Sequence, residues 1–133
     1  MHQNLDRVVE WARGAQGRGI QVLIVGAGLA APLASVIASQ TLLPVVAVPL
    51  PTSSMQGLDA LLGLAQSNVG APIATMAVGK IGAANAGIFA TQLLALKFPE
   101  NLLEPLQSFR AGMAQQCDSK DQALYQDRQQ RRS

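Results

Sequence analysis

The stretch QVLIVGAGLAAPLASVIASQ, residues 21–40, passes from an apolar run through a glycine turn into a segment of small side chains. Residues 20–25 carry no polar alternation after Gln21, the pattern of a strand covered on both faces. Gly26-Ala27-Gly28 then supplies a turn, and residues 29–40 read as a helix. The order of strand, glycine turn and helix is that of a nucleotide-binding fold. The spacing through Ala31 matches the relaxed G-x-G-x-x-A dinucleotide fingerprint, which sets a phosphate against free N–H groups at a helix N-terminus.

The alternation continues on both sides. Leu5, Val8, Val9, Ala12 and Ala15 recur at helical spacing, with Asn4 placed as an N-cap, so residues 4–18 predict an amphipathic helix ended by Gly17 and Gly19. Residues 44–48 form a second short apolar strand, closed by the loop PLPTSSMQG, and residues 58–66 a further helix. Residues 72–78 read as a third strand, Gly79-Lys80-Ile81-Gly82 as a second glycine turn, and AANAGIFATQLLAL as an alanine-rich helix. Residues 99–116 supply a last helix with Leu102, Leu103, Leu106 and Phe109 on one side; residues 117–133 are a polar tail or its continuation. Strands alternating with helices imply crossover connections and a parallel sheet, hence a three-layer α/β domain. At 133 residues the chain holds one such domain, over residues 1–116.

Charge is confined to the ends: between residues 19 and 96 only Asp59 and Lys80 are charged. So long an uncharged centre is hard to hide within one small subunit, and it predicts a homo-oligomer. Pro32, Pro44, Pro49, Pro51, the glycine turn and Thr52-Ser53-Ser54 cut the apolar centre into pieces too short to span a bilayer. The N-terminus MHQNLDRVVEWARG has acids and no signal-type apolar core, so the expected location is the cytoplasm. Cys117, the sole cysteine, excludes an internal disulfide and a cysteine metal cluster. Arg128, Arg131 and Arg132 cluster at the tail without interleaved aromatics, which reads as a solvated end rather than a nucleic-acid patch.

The dinucleotide reading does not survive the next strand. It needs an acid about twenty positions on to hold the ribose hydroxyls, whereas PVVAVP is followed by Leu50, Pro51 and Thr52, and the first acid is Asp59. A P-loop fails as well, since Gly79-Lys80 has no glycine five residues upstream and no hydroxyl residue after the lysine. Catalytic candidates are few. No carboxylate pair or metal-ligand cluster is available. His2, the only histidine, sits beside the initiator methionine, a place usual for a surface residue. Ser53 and Ser54 fall at a strand's carboxyl end, where parallel sheets place ligands, yet no base stands near them in sequence, and turn residues often serve only to satisfy backbone groups. Asp59 suits the first turn of its helix. Lys80, at the same edge of the sheet, suits an anion or an intersubunit ion pair.

Taken together, GAGLAAPLASVIASQTLLPVVAVPLPTSSMQGLDAL (residues 26–61) and MAVGKIGAANAGIFATQLLAL (residues 76–96) resemble the PurE family, the 5-(carboxyamino)imidazole ribonucleotide mutases and aminoimidazole ribonucleotide carboxylases of purine biosynthesis. The family pattern is similar to G-A-G-G-A-A-H-L-P-G, a V-P-V-x-G-V-P strand and loop, an S-G-x-D-x-L helix start, and A-I-G-K-x-G-A-A-N-A. The resemblance implies a flavodoxin-like domain assembled as an octamer. It also implies movement of a carboxylate from the exocyclic nitrogen of the imidazole ribonucleotide to a ring carbon, or its addition from carbon dioxide, with one histidine shuttling protons and no metal or organic cofactor. Carried over residue by residue, it makes His2 catalytic and Gly26, Ala27, Gly28, Ala30, Ala31, Ser53, Ser54, Met55 and Lys80 substrate-binding. Three positions depart from the pattern: Leu29 stands for its second glycine, Pro32 for its histidine, and Gln3 for the arginine that follows the catalytic histidine. The family's initial G-S-x-S-D phosphate loop has no counterpart here. The departures set out an alternative, an inactive or repurposed oligomer that binds a small anion or a partner chain at loops 26–31 and 52–56.

Overall fold

The computed structural model describes residues 4–29 and 31–130. Three parallel strands, β1 (Leu23–Ala27), β2 (Val45–Pro49) and β3 (Ala74–Thr75), stand side by side in chain order. Leu23 pairs with Val45 and Ala27 with Pro49; on the other side Val46 and Ala47 pair with Ala74 and Thr75. The helices are α1 (Leu5–Arg13), α2 (Pro32–Gln40), α3 (Leu58–Ala65), α4 (Gly79–Ala95) and α5 (Pro99–Gln130), with a short 3-10 turn at Gln16–Arg18. The architecture is the α/β parallel sheet that the alternation predicts, in the flavodoxin-like form that the resemblance implies.

Two cores flank the sheet. Leu23, Val25, Ala27, Val45 and Ala47 pack with Ala12 of α1, Ala34 and Ile37 of α2, and Ala60 and Leu64 of α3. The opposite face, Val46 and Val48, meets Ala86 of α4 with Phe89 and Leu93 around it. Successive crossovers that step the same way across a sheet with one hand must share a face, so α2 and α3 lie together and α4 returns over the other side. Gly82, Ala86 and Ala90, four residues apart, are the buried stripe of α4. At Gly82 even a methyl group would collide with the carbonyl oxygen of Ala77.

Local physics moves several boundaries. The first helix stops at Arg13, and Asn4 precedes it without a side-chain cap bond. α2 starts only at Pro32, because Leu29 and Ala31 take left-handed backbone with φ of 53° and 54°; proline then suits the first helical position. The third strand shrinks to two residues, although Met76 N–H still reaches Ala47 O at 2.8 Å. β1 is not covered on both faces: it alternates buried and exposed, with Ile24 half-exposed, because it is the edge of the sheet and α4 lies chiefly over β2. Residues 117–130 continue α5 as helix. Along it Leu102 and Leu106 are half-buried, while Leu103 and Phe109 are exposed.

Gly82→Ala is expected to destabilise the fold by about 1–3 kcal/mol through overpacking against backbone, read as a lower thermal midpoint. Gly87→Ala, on the same helix with nothing within 4 Å of its added methyl, is expected to leave stability unchanged or raise it by up to ~1 kcal/mol.

Candidate functional site

In an open parallel sheet ligands bind beyond the carboxyl ends of the strands. At that edge three connections converge here: the turn after β1, loop 50–57 after β2, and the start of α4 after β3. A cavity of about 680 Å³ opens at the first two, lined by Leu5, Gly26, Ala27, Gly28, Leu29, Ala31, Pro32, Leu33, Val36, Leu50 and Thr52. Among the described residues, none that lines it carries a charge. What such a cavity offers a ligand is small side chains, apolar walls and backbone groups.

The turn owes its shape to close approach. A methyl group on Gly28 would overlap the Thr52 hydroxyl, so only glycine lets loop 50–57 close against the end of β1. Backbone bonds fasten the two: Leu50 N–H donates to Ala27 O at 2.9 Å, and Ala31 N–H to Gly28 O at 3.0 Å. Leu29 and Ala31 sustain left-handed backbone that glycine adopts without strain. Leu29, 58% exposed, projects at the cavity mouth.

Loop 50–57 is braced from within. Ser53 donates its hydroxyl to an Asp59 carboxylate oxygen at 2.7 Å and accepts the Met55 N–H at 3.2 Å. Asp59 sits in the first turn of α3, where a negative charge meets unpaired N–H groups and the positive end of the helix dipole. The bond ties the loop to that helix. Ser54 and Met55 are exposed on the same loop. Lys80 is exposed in the first turn of α4, the end at which the dipole disfavours a cation and an arriving anion would offset it.

Of the residues carried over from the resemblance, Gly26, Ala27, Gly28 and Ala31 are brought together on one cavity wall. Ser53, Ser54, Met55 and Lys80 stand at the same edge of the sheet without lining that cavity. His2, Gln3 and Ala30 lie outside the described residues. Sequence reasoning did not find Leu5, Leu33, Val36 or Leu50 as cavity walls. Leu5 in particular arrives from α1, far away along the chain, and its helical spacing signals only an apolar face.

A family model described as AIR carboxylase matches residues 1–116. The chain belongs to the AIR carboxylase family. Among its curated relatives is the N5-carboxyaminoimidazole ribonucleotide mutase of Thermotoga maritima, 42% identical over 125 residues, spanning 94% of this chain and 71% of the relative. The enzyme of the same name from Bacillus subtilis is 42% identical over 92% of this chain and 76% of its own length. The Pyrococcus abyssi mutase is 44% identical over 84% and 63%. The glycine turn and the start of α4 both fall within the matched residues. Leu29 holds left-handed backbone, at a cost that the glycine of the pattern it resembles would not carry.

Leu29→Gly is therefore expected to stabilise the protein by about 1 kcal/mol by relieving that strain, seen as a raised midpoint in denaturant. Ser53→Ala is expected to cost about 1 kcal/mol, the net worth of its lost hydrogen bonds, in the same titration.

Proposed function

We propose that this chain transfers a carboxylate on an aminoimidazole ribonucleotide, the chemistry in its relatives' names, at the cavity beside Gly26-Ala27-Gly28. The observation that carries the reading is that the family's glycine turn lines a cavity at the carboxyl edge of a parallel sheet. Moving a carboxylate from the exocyclic nitrogen to a ring carbon breaks a C–N bond, frees carbon dioxide and forms a C–C bond. The nitrogen gains the proton that the ring carbon loses, so a single shuttle suffices, and His2 is the residue for it. Carbon dioxide has no charge for a side chain to grip. The small residues Gly26, Ala27, Gly28 and Ala31 wall the cavity that confines it, and Ala30 is assigned with them by the resemblance alone. Ser53, Ser54 and Met55 form the facing loop, and Lys80 is the cation nearest in role to the phosphate. No metal or organic cofactor enters this scheme.

The uncharged lining has a cost. Each missing charge-assisted contact to the nucleotide forgoes about 1.5–3 kcal/mol, so the phosphate is held weakly. Assayed beside the Thermotoga maritima mutase, the chain is expected to convert the N-carboxylated ribonucleotide to its carbon-carboxylated isomer with KM raised at least tenfold. His2→Asn is expected to abolish turnover, and Lys80→Met to raise KM with little change in kcat. Absence of turnover at saturating substrate contradicts the enzyme reading. It favours instead a repurposed family member that binds a small anion or a partner chain.

A homo-oligomer, an octamer by resemblance, belongs to this proposal. The chain exposes 9446 Å², against roughly 6,700 Å² for a compact monomer of its 13.9 kDa mass. The exposed end of α5 accounts for part of the excess, and Ile81, Leu96 and Phe109 are among the exposed apolar side chains that an assembly would cover. Sedimentation is expected to give an assembly several times the monomer mass; a monodisperse monomer at micromolar concentration contradicts it.

A further inference from the structure

Loop 50–57 carries three hydroxyl residues in a row, Thr52, Ser53 and Ser54, and the fold gives each a different surrounding. The Ser53 hydroxyl is occupied, donating to Asp59 and accepting the Met55 N–H. Ser54 is exposed and does not line the cavity. Thr52 does line it, and bonds only through its N–H, to Leu50 O at 2.9 Å; its hydroxyl has no partner among the described residues. That hydroxyl stands over Gly28, where it is the first atom that an added methyl group would strike. Every other described residue of the lining is glycine, alanine, proline, leucine or valine. One side-chain hydrogen-bonding group therefore belongs to the lining, and it sits against the small residues that confine carbon dioxide in the proposed reaction.

We propose that the Thr52 hydroxyl determines specificity at this site by donating a hydrogen bond to the ligand's carboxylate, so that the cavity selects carboxylated over uncarboxylated aminoimidazole ribonucleotides. The inference rests on the carboxylate-transfer reading and deepens it. A carboxylate taken from water into an apolar pocket is costly unless it is hydrogen-bonded, and a bond to an ionised acceptor is stronger than one between neutral groups. The phosphate is the ligand's other anion, but it stands across the ribose from the ring. The reacting carboxylate is the group that must lie where carbon dioxide is released. Once carbon dioxide forms, the charge is gone and the hydroxyl faces a poor acceptor. Thr52 thus holds substrate and product more firmly than the state between them, and its removal acts on KM rather than lowering kcat. Gly28 makes the contact possible, since any side chain there would displace the hydroxyl.

Calorimetric titration of the whole chain compares two ligands that share ring, ribose and phosphate: 5-aminoimidazole ribonucleotide and its carbon-carboxylated derivative. The carboxylated one is expected to bind about tenfold more tightly or better, the worth of a charge-assisted bond. Thr52→Val keeps the shape and removes the hydroxyl. It is expected to weaken the carboxylated ligand by about tenfold or more and the uncarboxylated one by less than about twofold. Thr52→Ala is expected to act as Thr52→Val does, and Thr52→Ser, which keeps the hydroxyl, to retain most of the preference. In turnover, Thr52→Val is expected to raise KM by the same factor with kcat unchanged or higher. An equal loss for both ligands, or no loss for either, overturns the role of Thr52 and leaves the carboxylate-transfer reading standing. So does a fall in kcat at constant KM. Failure of the unaltered chain to bind either ribonucleotide overturns that reading, and the role of Thr52 with it.

Discussion

The candidate site depends on the β2 ladder. Val45–Pro49 is buried at every position and bonded to a strand on each side, so its direction and register fix where the other two strands end. Because all three run parallel, the turn after β1, loop 50–57 and the start of α4 emerge at one edge without any long-range specification of their own. Apolar burial on both faces of β2 holds this arrangement. Each fully buried aliphatic side chain, Val46 or Leu64 among them, contributes about 1.5–3 kcal/mol.

From that edge the chain builds a site with backbone rather than with ionisable groups. Gly28 brings loop 50–57 against the β1 turn, and the Ser53–Asp59 bond fastens the loop to α3. The strain of left-handed backbone at Leu29 and Ala31 is held by this double anchoring, and such outliers persist where surrounding structure over-determines them. A cavity of this kind suits a small neutral fragment better than a phosphate. That is consistent with carbon dioxide chemistry and leaves nucleotide affinity to charges elsewhere.

The order of elements, the parallel sheet and the glycine turn were legible because each is written locally: a β-branched apolar run, a G-x-G spacing, a helical period. What was not legible is tertiary. The run at residues 20–25 looks doubly buried because nothing in a strand's own sequence says whether it lies at an edge. Leu29 and Ala31 look helical because their side chains favour helix, while the geometry that denies it comes from the loop packed against Gly28. Leu5 joins the cavity only through the packing of α1 against α2. The polar residues 117–130 carry too little apolar periodicity to separate a solvated helix from an irregular tail.

The central claim is that the glycine turn and loop 50–57 together receive an aminoimidazole ribonucleotide. Its most direct measurement is an amide nuclear magnetic resonance titration of the 15N-labelled chain with 5-aminoimidazole ribonucleotide. The account predicts saturable shifts confined to Gly26, Gly28, Leu29, Thr52 and their neighbours. Shifts centred instead on the groove between α1 and α2, where Arg7 and Trp11 stand, or no shifts at millimolar ligand, would contradict it.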